Sequence, residues 1–174
     1  MKSIGKTSLT GAAGEHLVMS RLLSRGYIAA LAPQGVPNFD VVVTSVDGTQ
    51  LCAFQVKTRW EKGGDRGWHM QEKHEHLSSP SILYCFVDLG LAGSNSPTVH
   101  VIPSEVVAKV VKQSHESGLS KPGAKGQKHN DSNFRRLLPD YVKLMGAECD
   151  YRLGWMDRYL ESWDQIKGVA AQST

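Results

Sequence analysis

At 174 residues, with 40% hydrophobic and 21% charged side chains, the chain has the size and make-up of one ordinary globular domain, large enough to bury a core without disulfide or metal staples. Its formal net charge of +3, from 20 basic and 17 acidic residues, is a mild excess that permits a polyanionic partner without requiring one. The 17 glycines and 7 prolines form no tract or fixed repeat, which excludes collagen-like, coiled-coil and wholly disordered chains.

In chain order, Leu9, Ala13, Leu17, Val18, Leu22 and Leu23 recur at helical spacing and Gly26 follows where a helix C-terminus favours glycine, predicting a helix over 8–25. Tyr27 to Leu31 is a short apolar run closed by Ala32-Pro33. Runs rich in Val and Phe over 39–46 and 50–60 predict two strands, joined through Asp47-Gly48, a strong two-residue hairpin signal. Met70 to Leu77 predicts a polar helical stretch, and Ser81 to Asp88 is a continuous apolar run expected of a buried strand. Thr98 to Ile102 predicts another strand, and Pro103 opens a helix to about Gln113.

Residues 114–133 have hardly an apolar side chain and read as a flexible basic loop. Residues 134–145 and 151–166 read as helices, the latter with Trp155, Tyr159 and Trp163 spaced by four as a packing stripe. Cys52 and Cys85 lie within apolar runs and Cys149 stands apart, so three free thiols and a reducing, cytoplasmic setting are expected. No window approaches the ~18 consecutive apolar residues that span a membrane, and no signal peptide is expected. The expectation is a single α/β domain with a mixed central sheet: a core over 8–113, the loop over 114–133 and helices over 134–167.

With Asp47-Gly48 as a two-residue turn, every cross-strand pair sums to 95 in residue number, so Asp40 faces Gln55 with Cβ atoms about 4.5–5.5 Å apart. The strand period of two puts Lys57 on the face of Gln55, and sends Val41, Val43, Cys52, Phe54 and Val56 to the opposite, core-facing side. A carboxylate beside a carboxamide oxygen suits a hard cation such as Mg²⁺, which is usually held by one or two carboxylates. A nearby lysine can position or deprotonate a metal-bound water, which is the equipment of metal-assisted phosphodiester hydrolysis. Glu15, preceded by Gly14, sits on a helix expected to pack against this sheet. The same spacing recurs at Asp150, Gln165 and Lys167, but on a segment read as helix, where the strand geometry is lost.

Gly14-Glu15, Pro37-Asn38-Phe39-Asp40 and Gln55-Val56-Lys57-Thr58, in that order, resemble the PD-(D/E)XK nuclease superfamily, the fold of many restriction enzymes and archaeal Holliday-junction resolvases. The likeness spans about residues 8–102 and implies a restriction-endonuclease-like core in the order helix, three strands, helix, strand. It implies Mg²⁺ or Mn²⁺ held by Glu15, Asp40, Gln55 and the Val56 carbonyl, with Lys57 organising the attacking water. Gln55 stands where that family usually has Asp or Glu, which removes one negative charge from the cation site. The implied activity is DNA endonuclease; the alternative is an inactive nuclease-like fold that binds nucleic acid or protein.

Arg59, Lys62 and Arg66 follow the second hairpin strand, with Trp60 and Trp68 close by, and Lys121, Lys125, Lys128, Arg135 and Arg136 populate the later basic segment. Both sets are candidates for phosphate contacts. His69, His74 and His76 lack metal-ligand spacing and are read as a solvated helix face. Gly5-Lys6-Thr7 has neither the earlier glycine nor the preceding strand of a phosphate-binding loop. The aromatic C-terminal segment offers an interface for a homodimer, a common arrangement for cutting two strands.

Overall fold

A five-stranded mixed sheet with an apolar core on each face organises the computed structural model, which describes residues 6–33, 35–48, 51–60, 67–91, 96–122 and 126–166. Helix α1 (Lys6–Leu23) ends in a turn where Gly26 takes φ +84°, a left-handed conformation open to glycine without steric cost. Strands β1 (Ile28–Leu31), β2 (Val41–Thr44) and β3 (Leu51–Arg59) form an antiparallel meander. Then come β4 (Trp68–Gln71), a 3-10 turn over Glu72–Glu75, β5 (Ile82–Asp88), β6 (Thr98–Pro103) and α2 (Ser104–Ser120). The chain continues with β7 (Phe134–Leu137), α3 (Val142–Met145) and a 3-10 turn over Asp157–Tyr159. The main sheet has the order β1-β2-β3-β5-β6, with β5 parallel to β3, while β4 and β7 pair in a separate two-stranded sheet. The fold is mixed α/β, as expected.

The hairpin register agrees with the sequence reading: Val41 pairs with Phe54 and Val43 with Cys52. Its turn differs. The Gly48 N–H donates to the Ser45 carbonyl (2.9 Å) with Gly48 at φ +74°, so Val46 and Asp47 form the centre of the turn and the ladder closes at Thr44 and Leu51. Val46, expected to face Thr49, is exposed at the tip, and Thr49 lies outside the described residues.

On one face, Val18 and Leu22 of α1 pack on Val41, Val43, Phe54 and Val56. On the other, Tyr84, Phe86 and Ile102 meet Val107 and Val111 of α2 and Trp68 and Met70 of the small sheet. The face bearing Gln55 and Lys57 is therefore not a bare outer surface, because α2 and the small sheet cover its β5-β6 half.

Several later segments depart from expectation for tertiary reasons. Residues 68–71 alternate buried and exposed and form β4, so the helix read from Met70 to Leu77 shrinks to one 3-10 turn. Helix α2 runs past Gln113 to Ser120, so the first third of the expected basic loop is helical, with Ser114 buried and its hydroxyl on the Val111 carbonyl (2.9 Å). Residues 134–137, read as helix, pair with β4 as β7.

The 151–166 segment is not a helix either, because it serves both cores: Met156 and Tyr159 enter the second, Trp163 and Ile166 the first. A straight helix would present such a stripe to one side. Positive φ at Gly154 (+89°) and Glu161 (+49°) bends the chain instead, and Leu160 forms a bridge with His100 that caps the β6 edge. The aromatic stripe is packing, as expected. Asp150 and Gln165 lie on no strand, and Lys167 is outside the described residues.

Cys52, Cys85 and Cys149 are free thiols. Among the described residues no helix is long and apolar enough to cross a membrane.

Gly14 sets how closely α1 approaches β3. A Cβ there would lie 1.9 Å from Thr58 Oγ1 and 2.8 Å from its Cγ2. Gly14→Ala should therefore lower unfolding stability by about 1–3 kcal/mol despite its better helix propensity, and Thr58→Ala in the same chain should restore part of the loss. Urea unfolding of the two singles and the double checks this, and a Gly14→Ala variant as stable as wild type would contradict it.

Candidate functional site

Asp40 is the residue immediately before β2 and is pinned from both sides. Its carbonyl accepts the Ala32 N–H (2.8 Å) and its N–H donates to the Phe54 carbonyl (2.7 Å). Its side chain then reaches one residue beyond the ladder: Oδ2 accepts the Val56 N–H (2.7 Å) and the Gln55 Nε2–H. The Asp40–Gln55 pairing foreseen from the hairpin is present, with Gln55 only 4% exposed. A strand residue turns its N–H and C=O to the same edge, so the Val56 carbonyl also lies on the Asp40 side of β3.

Lys57 is the next residue on the Gln55 face and is half-buried. Burial pushes its ammonium pKa down and Lys73 adds to this, while Asp40 and Glu15 oppose it. Glu15, from α1, has its carboxyl pKa raised, first by burial and then by the negative charge of Asp40, against His16 and Lys57. These mutual influences join Glu15, Asp40 and Lys57 in one electrostatic cluster. Glu15 and Asp40 also line one cleft of about 500 Å³. The carboxylates of Glu15 and Asp40 are oxygen donors of the kind Mg²⁺ takes, and the Val56 carbonyl lies on their side of β3, whereas Gln55 turns its amide N–H, not its oxygen, to Asp40. No group of three or more His, Cys, Asp or Glu gathers as a metal site among the described residues, so a cation here would depend on the neutral oxygens as well.

Sequence reasoning missed two neighbours. Tyr84 lies beside Gln55 in the β3-β5 register, fully buried, and its hydroxyl is 2.7 Å from His74 Nδ1. His74, expected on a solvated face with His69 and His76, is 1% exposed, whereas those two are exposed as read. Burial, followed by the positive charges of Lys57 and Lys73, drives the His74 pKa down to about 3. Burial, with a contribution from Asp40, raises that of Tyr84. One signal for this pair was in the sequence: a tyrosine within a buried apolar strand needs a partner for its hydroxyl.

The candidate phosphate contacts separate. Arg59 is tied to Asp88 (2.9 Å) and lies over the Trp68 ring (3.8 Å), so it is a structural arginine at the rim of the second core. Trp68 is buried with its indole N–H on the Val87 carbonyl (2.9 Å), whereas Trp60 is 43% exposed and donates to Thr10 Oγ1 (3.2 Å). Arg135 is buried, paired with Glu75 and bonded to the Ser132 carbonyl; Arg136 lies over the Phe134 ring (6.0 Å). Lys121 is exposed with Nζ on the Leu144 carbonyl (2.6 Å), and Lys128 is exposed. Lys62, Arg66 and Lys125 lie outside the described residues.

No family model matches the chain, and no curated protein matches it. Among solved structures it is similar to the bacterial homing endonuclease I-Ssp6803I, with a TM-score of 0.55 and 17% identity over 98% of each chain. At that identity the likeness is one of fold: the chain has a nuclease-like fold.

His74 stays neutral in the native state down to about pH 3, while the unfolded chain takes up its proton near pH ~6.5. Its contribution to stability is therefore present above about pH 6.5 and is lost as pH falls toward 3, at up to about 1.4 kcal/mol per pH unit. Urea unfolding between pH 7 and 4 should show this decline, and His74→Asn should flatten it; parallel slopes in the two proteins would contradict it.

Proposed function

We propose that this chain is a metal-dependent DNA endonuclease of PD-(D/E)XK type, in a variant with Gln before the Lys. The observation that carries the reading is the carboxylate of Asp40 held against Gln55 and the Val56 N–H, with Lys57 one step along the same face and Glu15 arriving from α1. The nuclease-like fold, shared with a protein described as a homing endonuclease, supports it.

In this reading Asp40 and Glu15, with the Val56 carbonyl and, once its amide turns over from Asp40, the Gln55 oxygen, would hold Mg²⁺ or Mn²⁺. Such an ion, when bound, would supply an acidified water and offset charge on the phosphoryl group. Two donors on Asp40 Oδ2 fix the orientation of the carboxylate. Lys57, whose ammonium pKa is lowered chiefly by burial, would orient the attacking water and take up its proton. Gln55 removes the repulsion that a third carboxylate would exert on Asp40 and replaces it with a hydrogen bond. That same bond favours a second reading, a catalytically silent nuclease-like module whose DNA binding is independent of divalent ions.

Titration calorimetry with Mn²⁺ and plasmid nicking on the same samples separate the two. Asp40→Ala should lose both metal binding and nicking. Lys57→Ala should keep metal binding and lose about 10²–10⁴-fold in rate. Nicking retained by Asp40→Ala would end the nuclease reading, and divalent-independent DNA binding without cutting would establish the silent module. Gln55→Glu should be less stable than wild type in chelator, where two carboxylates meet, and bind Mg²⁺ more tightly; equal stability with and without Mg²⁺ would count against a metal at this position.

A further inference from the structure

The 3-10 turn that follows β4 is anchored at its start, middle and end. The Glu72 N–H donates to the Asn133 carbonyl (3.0 Å) and to its Oδ1 (3.1 Å), His74 is buried with Nδ1 2.7 Å from the Tyr84 hydroxyl, and Glu75 pairs with the buried Arg135. The His76 N–H closes the turn on the Lys73 carbonyl (3.3 Å). Residues three apart on such a turn lie one above the other, so Glu72 and Glu75 share one side, Lys73 and the following His76 another, and His74 faces the second core. Lys73 is thus an exposed lysine on an ordered backbone, turned away from both glutamates of its own turn.

That turn sets Lys73 beside the candidate site. The β3-β5 ladder puts Tyr84 next to Gln55, and Tyr84 holds His74, the residue after Lys73. The charge of Lys73 acts on His74 and on Lys57, whereas the charges acting on Glu15 are those of Asp40, His16 and Lys57. Lys73 therefore stands on the His74 side of Lys57, across from the carboxylates. The order through the site is Glu15 and Asp40, then Lys57, then Lys73.

Two ammonium groups within each other's field repel, and the carboxylates that offset this lie at Lys57, not at Lys73. An anion beside Lys73 would relieve the repulsion at its outer end. A nucleic-acid strand carries phosphates in series, so one whose scissile phosphate lies at Asp40 and Lys57 brings a neighbouring phosphate to this side. Because the turn is already ordered, holding that phosphate costs the freedom of one side chain only.

We propose that Lys73 binds the DNA phosphate adjacent to the scissile one, so that the strand runs from Asp40 past Lys57 toward the turn after β4. The inference rests on the nuclease reading for the scissile phosphate and adds a contact with the substrate backbone. A lysine meets phosphate as a point charge, so the contact positions the strand and carries no base sequence.

The test is the salt dependence of DNA binding, read by anisotropy of a fluorescein-labelled duplex in Ca²⁺ at several KCl concentrations. Wild type is compared with Lys73→Gln, Lys73→Arg and Lys112→Gln, the last an exposed α2 lysine paired with Glu116 (4.0 Å). The slope of log affinity against log salt should become shallower by about 1 in Lys73→Gln, equally on two unrelated sequences, and be kept by Lys73→Arg and Lys112→Gln. An unchanged slope in Lys73→Gln, an equal change in Lys112→Gln, or a wild type that binds no DNA would overturn the proposal.

Plasmid nicking in Mn²⁺ separates this from the nuclease reading. If wild type cuts while Lys73→Gln keeps the wild-type slope, the nuclease reading stands and the Lys73 contact falls. If wild type does not cut while Lys73→Gln changes the slope, the nuclease reading fails and Lys73 is a phosphate contact of a non-cutting module. Where wild type cuts, an uncharged methylphosphonate in place of one phosphate flanking the mapped cut should weaken binding by wild type and leave Lys73→Gln unaffected; equal losses in the two proteins at both flanking phosphates would overturn the adjacency.

Discussion

The site depends on one carboxylate that reaches past the end of its own strand. β2 begins at Val41, yet Asp40 extends the ladder by a residue through its side chain, which accepts the Val56 N–H where a further strand carbonyl would have stood. A hydrogen bond to a charged acceptor contributes about 1.5–3 kcal/mol, and here it also locks the β2-β3 register at the point where the polar side chains emerge. Slippage by one residue would send Gln55 and Lys57 into the α1 core and expose Val56. Fold and site therefore share a single constraint.

The second requirement is the distance between α1 and the sheet. Glu15 joins the cluster because the preceding residue has no side chain and lets the helix descend onto Thr58. Thr58 Oγ1 is itself buried without a hydrogen-bond partner, so the contact is made for closeness at the expense of a satisfied hydroxyl. The same helix carries Ser8, Gly11 and Ala12 on the face turned to the cleft, and small residues on both aspects of its first half keep α1 near the sheet and the cleft open.

Electrostatics then divide the work among the grouped side chains. Lys57 and Glu15 are pulled in opposite directions by the same burial, each toward its neutral form; Asp40 pushes Glu15 and Lys73 pushes Lys57 further that way, while the opposite charges of the cluster act against it. His74, neutral and bonded to Tyr84, backs the cluster from the second core without adding positive charge beside Lys57. Gln55 exchanges charge for a hydrogen bond, so the protein alone is eased while the attraction for a divalent ion is lowered. The β5-β6 half of this face is covered by α2 and the β4-β7 sheet, and the cluster stands at the boundary between that covered half and the cleft.

What could be read from residue order was the local part. The α1 periodicity, the Val-rich hairpin, its register and the opposition of Asp40 to Gln55 all follow from rules that act over a few residues: helical spacing, strand alternation and a glycine turn. The register agreed even though the turn moved to Val46-Asp47, because the alternating apolar face constrains it independently of the loop. The later segments were not legible in this way. Residues 134–137 became a strand through pairing with β4, and 151–166 were bent to serve two cores, outcomes that rest on partners distant in sequence. His74 gives the sharpest case: in the sequence it is one of three histidines in a polar run, and packing against Tyr84 buries it behind the site. The sequence by itself determined which groups could meet across one hairpin; the tertiary structure alone decided which charges were buried, which arginines were already committed to ion pairs, and where a cleft remained, because those depend on what the rest of the chain covers.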